Sequence, residues 1–202
     1  MRPSEPWKTY AFIAAIISLN GCSLVHHKSA DEPTATPVQA AISIDDYQRA
    51  IAALKAGKDQ DALNLFDAVA KSHPDLAAPY INVGLIEIKQ DNLHTAETAL
   101  LHAATLAPEQ PEIYNGLGII YRRLGRFTDA EAAYLRAMRL APDYANAHIN
   151  IGILYEIYLN NLGAALQHYE RYQAITGGHN DLVKKWIIDV RQRLARNTGA
   201  KK

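Results

Sequence analysis

Catalysis needs a nucleophile, an acid–base pair or a ligand set brought to one place. This 202-residue sequence offers few side chains that could meet that need. Its single cysteine, Cys22, closes an apolar run near the amino terminus. His73, His94, His102, His148, His168 and His179 are scattered, and none stands in the H-E-x-x-H spacing that sets two imidazoles around zinc on one helix face. His26 and His27 are adjacent, with no further ligand spaced to join them. No Gly-x-Ser-x-Gly turn presents a serine, and no glycine-rich loop follows a strand to cradle phosphate. Glu87, Glu97, Glu131, Glu156 and Glu170 fall at helical positions, where a solvated face is the ordinary role of a carboxylate. The reading is a non-enzyme that needs no cofactor and no metal. Lys plus Arg and Asp plus Glu both total 21, so the formal charge is zero. With no basic stripe to neutralise phosphates, nucleic acid is excluded as a partner.

What the chain does carry is a grid. Tyr80, Gly84, Ala96, Ala103 and Pro108 recur 34 residues later as Tyr114, Gly118, Ala130, Ala137 and Pro142. A weaker copy precedes them (Ala50, Ala62, Phe66, Pro74) and another follows (His148, Gly152, Tyr155). A fixed period of this length marks a repeat array. Each unit holds two amphipathic stretches with apolar residues three and four apart, as in Ile113, Leu117, Ile120, Tyr121 and Leu124, then Ala130, Ala133, Tyr134, Ala137 and Leu140. Gly84, Gly118 and Gly152 sit in mid-helix, where glycine costs about 1 kcal/mol against alanine. That cost, repeated at one register, implies that a neighbour comes very close there. The prolines end the second helix of each unit. One helix pair cannot bury its own apolar face, so the units must stack.

The segment Pro111 to Tyr144, PEIYNGLGIIYRRLGRFTDAEAAYLRAMRLAPDY, closely resembles the tetratricopeptide repeat. The resemblance implies an all-α fold, an α-solenoid of about four helix pairs at 43–76, 77–110, 111–144 and 145–178. The fourth pair departs from the grid. Tyr155 to Ala165 is one residue longer than Tyr121 to Ala130, which predicts a wider turn over 158–163, and Gly177-Gly178 replaces the closing proline. A capping helix over 179–196 is expected next, with Leu182, Trp186, Val190 and Leu194 on its apolar stripe, then a basic tail over 197–202.

The amino terminus carries a second signal. Arg2 and Lys8 bound a short charged region that precedes an apolar run from Thr9 to Leu19, eleven residues, too short to span a membrane and suited to a cleaved signal segment. Leu19-Asn20-Gly21-Cys22 resembles the bacterial lipoprotein box. That resemblance implies cleavage before Cys22 and lipidation of its thiol, with Ser23 favouring the outer membrane. Removing residues 1–21 leaves a net charge near −1. Residues 22–42 read as a tether, Pro-bearing and without periodicity, with a reach of about 25 Å for a flexible chain of that length.

In tetratricopeptide arrays the first helices line a concave groove that holds an extended peptide or a partner helix. The resemblance places Tyr47, Gln48, Ile51 and Lys55 there in the first unit, and Ile81, Asn82, Leu85 and Lys89 in the second. The third unit supplies Asn115, Ile119, Arg122 and Arg123, and the fourth Ile149, Asn150, Ile153 and Glu156. An amide such as Asn82 or Asn150 both donates to and accepts from a peptide backbone, and Arg122 or Arg123 suits a carboxylate. The two-carboxylate clamp of co-chaperone arrays is not matched, because Tyr47 and Ile51 occupy its first two places. The whole resembles Gram-negative envelope lipoproteins of this repeat, among them the type IV pilus pilotins. The expected role is a periplasm-facing, outer-membrane-anchored scaffold for assembly of a pilus or secretion apparatus. An adaptor for peptidoglycan-processing enzymes and a purely structural lipoprotein are the alternatives.

Overall fold

The computed structural model describes residues 37–199, and the surroundings of the side chains from 45 to 197. The signal segment, Cys22, most of the expected tether and residues 200–202 lie outside the described residues. Regular structure among the described residues is helical throughout, in two units, residues 1–73 and 74–202.

The first unit is one helix pair, α1 (Pro37–Lys55) and α2 (Asp59–Ser72). Ala50, Ala62 and Phe66 are fully buried between them, and the Tyr47 ring meets Phe66 edge-on at 5.6 Å. Helix α1 begins six residues before the expected start at 43, so the end of the expected tether is helical.

The second unit continues the pattern with α3 (Ala77–Lys89) and α4 (Leu93–Leu106), then α5 (Pro111–Arg123) and α6 (Phe127–Leu140). It ends with α7 (Ala145–Ile153), α8 (Leu162–Ile175) and α9 (Asp181–Gly199). Its core alternates between the repeats. Ala96, Leu100 and Ala103 of α4 pack with Ile113, Leu117 and Ile120 of α5. Ala130 and Tyr134 of α6 pack with Ile151 of α7 and with Leu154 beyond its end.

The repeated glycines are explained by what lies over them. A Cβ on Gly84 would stand 2.6 Å from Leu100 Cγ, one on Gly118 2.4 Å from Tyr134 Cε1, and one on Gly152 2.5 Å from Tyr169 Cε1. Leu100, Tyr134 and Tyr169 hold the same register of the second helix, allowing for the extra residue. In the first unit Phe66 takes that place, and Ala50 stands at the glycine's.

Helix ends follow from two backbone rules. The residue before proline avoids the helical region. His73, Ala107 and Ala141, each preceding a proline, accordingly leave the helix at ψ 74°, 73° and 93°. Within each pair the turn needs one residue at positive φ: Gly57 (74°), Asp91 (66°), Gly125 (76°) and Asn160 (49°). Asn160 falls one place late on the 34-residue grid, which locates the extra residue of the fourth unit. Instead of widening the turn, it is wound into a single π-helical turn, Leu154–Tyr158, at the end of α7. The Leu159 N–H reaches back to Leu154 O at 3.1 Å, and Asn161 N–H to Tyr155 O at 2.8 Å. The turn leaves Ile157, Tyr158 and Leu159 exposed, with Tyr158 leaning on Phe127 at 4.9 Å.

Helix α9 packs on α8 and covers the end of the last pair. Its buried stripe is Val183, Ile187 and Val190, with Trp186 and Leu194 half-buried beside it. Leu182, expected on that stripe, is exposed. Val190 is buried as expected, but over the first turns the stripe runs one residue later because Tyr169, Tyr172 and Ile149 meet the Val183–Ile187 side.

Candidate partner-binding face

In the first unit Tyr47 and Ile51 are half-buried, while Gln48 and Lys55 stand further out on α1. Tyr47 is committed to Phe66, which leaves Gln48 and Lys55 as the presented groups.

In the second unit α5 lies beside both α3 and α7, and two polar links tie these first helices together. Arg123 Nη1 donates to Ile88 O at 2.6 Å and to Asp91 Oδ1 at 3.2 Å. Asn150 Nδ2 donates to Asn115 Oδ1 at 3.0 Å. Ile81, Leu85 and Ile119 are half-buried, each resting on the core and turning an edge outward. Ile153 does the same over the last cluster, and Lys89 is exposed.

Several expected face residues have structural work to do instead. Arg122 is buried at 5% exposure: its Nε lies 3.5 Å from Tyr134 Oη and its guanidinium 5.8 Å from the Tyr158 ring centre. It is not presented for a carboxylate. Asn115 is equally buried, as the acceptor for Asn150, and Ile149 is buried in the core under α9. Asn82 Nδ2 donates to Ala78 O at 2.9 Å in the previous turn of its own helix. Glu156 is held from two sides, by Tyr169 Oη at 2.9 Å and by Arg193 Nη1 of α9 at 2.6 Å. What the face presents is therefore an apolar strip, Ile81, Leu85, Ile119 and Ile153, edged by amides and by Lys89.

One set of inter-repeat links goes beyond the sequence reading. Tyr155 Oη donates to Glu131 Oε1 at 2.5 Å, and burial, reinforced by that carboxylate, pushes the Tyr155 phenol up to about 12. Tyr121 is raised as well, by burial first and then by Glu97. Glu97 and Glu131, like Tyr121 and Tyr155, stand 34 residues apart, so the pairing is visible as a period in the sequence. Arg126 joins the earlier link, donating to Glu97 at 3.0 Å while its guanidinium lies 4.2 Å from the Tyr121 ring centre.

Stacked helix pairs with this register define a class of repeat protein. Two family models described as tetratricopeptide repeat match residues 47–111 and 109–176, and the chain belongs to that family. No curated protein matches the sequence. Among solved structures, pilF of Pseudomonas aeruginosa is similar with a TM-score of 0.69 and 14% identity, over 81% of this chain and 74% of that one. MamA from Desulfovibrio magneticus RS-1 gives 0.59 and 22%, over 69% and 78%. An O-GlcNAc transferase mutant from Thermobaculum terrenum gives 0.65 and 21%, over 69% of this chain but 27% of that one. These likenesses are of fold. The protein is a tetratricopeptide-repeat interaction scaffold.

Proposed function

We propose that this scaffold is anchored to the outer membrane by a lipidated Cys22 and holds a protein partner in the periplasm, in the assembly or stability of a type IV pilus or secretion apparatus. The observation that carries the binding part is the strip on α3, α5 and α7: four half-buried Ile and Leu edges beside amides that the fold has already oriented. Such a strip suits an extended segment or helix that brings apolar side chains and reads its backbone against the amides. The anchor rests on the sequence. No helix among the described residues is long and apolar enough to cross a membrane. Attachment would then fall to acyl chains on Cys22, and stable attachment takes more than one such chain. The likeness to pilF supports the apparatus reading through shared architecture.

Cys22→Ser tests the anchor. The wild-type chain, expressed in a Gram-negative host fed labelled palmitate, is expected to carry label and to sediment with outer membranes. The variant should do neither, while melting at the same temperature. A variant that still sediments with membranes would sink the anchor.

A further inference from the structure

His148 stands one period after Tyr114, and the two side chains make the same contact. Tyr114 Oη donates to Pro108 O at 2.9 Å, and His148 Nε2 lies 2.9 Å from Pro142 O. A carbonyl only accepts, so the His148 proton must be on Nε2. A neutral His148 therefore offers a lone pair at Nδ1. His168 Nδ1, from α8, is 3.1 Å away and must carry the proton that fills this contact. One carbonyl thus fixes the tautomers of both rings. The rings are 5.3 Å apart, and the Tyr155 ring stacks on His168 at 5.7 Å.

We propose that the His148–His168 contact is an acid-sensitive latch joining α7 to α8, closed while the imidazoles are neutral and released on acidification, which frees the helix that carries Asn150 and Ile153. The control it would exert on partner binding rests on the reading of the first-helix face given above; the latch itself does not.

The chemistry follows from the proton count. With both rings charged, two N–H groups would face each other across 3.1 Å, and the contact must open. A single added proton keeps the Nδ1–H···Nδ1 bond, but puts an imidazolium where the surrounding charges are already committed. From α6, Glu131 is taken by Tyr155 Oη. Asp143, following Pro142, is paired with Arg171, one turn along α8 from His168. Tyr144, from the same turn, is half-buried, and its partial burial pushes its phenol up to about 12, so it stays neutral. On the α9 side Glu170 is held by Arg191 and Glu156 by Arg193. Burial first, and then the His148 ring, lower His168 to about 4. An open state restores an ordinary imidazole near 6.5. The folded pKa lies below the open one, so the stabilisation is complete above about pH 6.5 and is lost as pH falls towards 4. Opening is favoured by up to about tenfold per pH unit across that window.

Native-state hydrogen exchange on the full chain reads this opening directly. Compared at pH 7.5 and 5.0, after correction for intrinsic exchange, the amides of α7 and α8 should open about thirtyfold more often at pH 5.0. In His168→Gln the side-chain amide still donates to His148 Nδ1 and does not titrate, so the increase should shrink to about twofold or less. An equal acid response in both proteins, or none in the wild type, would overturn the latch. If the variant does not fold, the His168 imidazole can be titrated by NMR in the wild type. A midpoint near 4 supports the latch, and one at 6.5 or above overturns it. Neither readout involves a partner, so a partner found elsewhere on the array would refute the binding face and leave these results to stand or fall alone.

Discussion

Gly118→Leu is expected to lower the stability of the second unit by about 3 kcal/mol, the upper part of the range for overpacked cores. The reason is geometric. Even the first carbon of the new side chain would lie 2.4 Å from Tyr134 Cε1 and 2.5 Å from Cδ1. Tyr134 has nowhere to retreat, being fully buried against Ala130, Ile151 and Leu154, with Arg122 at its hydroxyl. Moving the ring would disturb the packing of α5 on α6 and of α6 on α7 together. A useful contrast is Gly163→Ala at the start of α8, where the nearest atom to a new Cβ is Asn161 Oδ1 at 3.9 Å. With that room, alanine's better helix propensity should raise stability by up to about 1 kcal/mol. Urea unfolding of both variants checks the pair. Equal stability of Gly118→Leu and wild type would mean that the glycine register has no packing role.

Glu156→Ala should cost about 2 kcal/mol and loosen α9 from the array. Glu156 has a side chain only 8% exposed and accepts from Tyr169 Oη and Arg193 Nη1. Removing one member of a buried pair costs about 3–5 kcal/mol, because the other charge is stranded. Arg193 is a quarter exposed and keeps Asp189 at 3.3 Å, which brings the expected loss down. The change should appear as a lower melting temperature together with faster hydrogen exchange in α9. A variant that melts like the wild type, with α9 still protected, would show that α9 is held by Val183, Ile187 and Val190 alone.

These two cases show where the sequence is readable. Gly118 is legible from spacing alone, because a costly residue repeated at a 34-residue interval must serve a repeated contact. The helix pairs, their turns and their proline exits are legible for the same reason, since each is set by local backbone rules acting on residues a few positions apart. Glu156 and Arg122 are not. Register says which side of a helix a residue is on, but not how far a neighbour reaches over it. Arg193 lies outside the period, on a helix with no repeat partner, and nothing in the spacing pairs it with Glu156. Tyr158 covers Arg122 only because the fourth unit winds its extra residue into a π-helical turn. Counting residues reveals the insertion, but hydrogen bonding decides where it goes. On α9 two apolar pairings compete, Leu182 with Trp186 and Val183 with Ile187, and both satisfy helical spacing. Contact with Tyr169 and Tyr172 selects the second.

The central claim is that the first-helix face of the second unit holds a protein partner. It is tested most directly by placing a photo-crosslinking amino acid at one position at a time in the full chain, expressed in its native host cell. Leu85 and Ile119 report on that face, and Leu101 and Leu135, which are exposed on the second helices α4 and α6, report on another surface. The account predicts one and the same protein adduct from Leu85 and Ile119 and none from Leu101 or Leu135. Adducts from Leu101 and Leu135, with Leu85 and Ile119 silent, would contradict it.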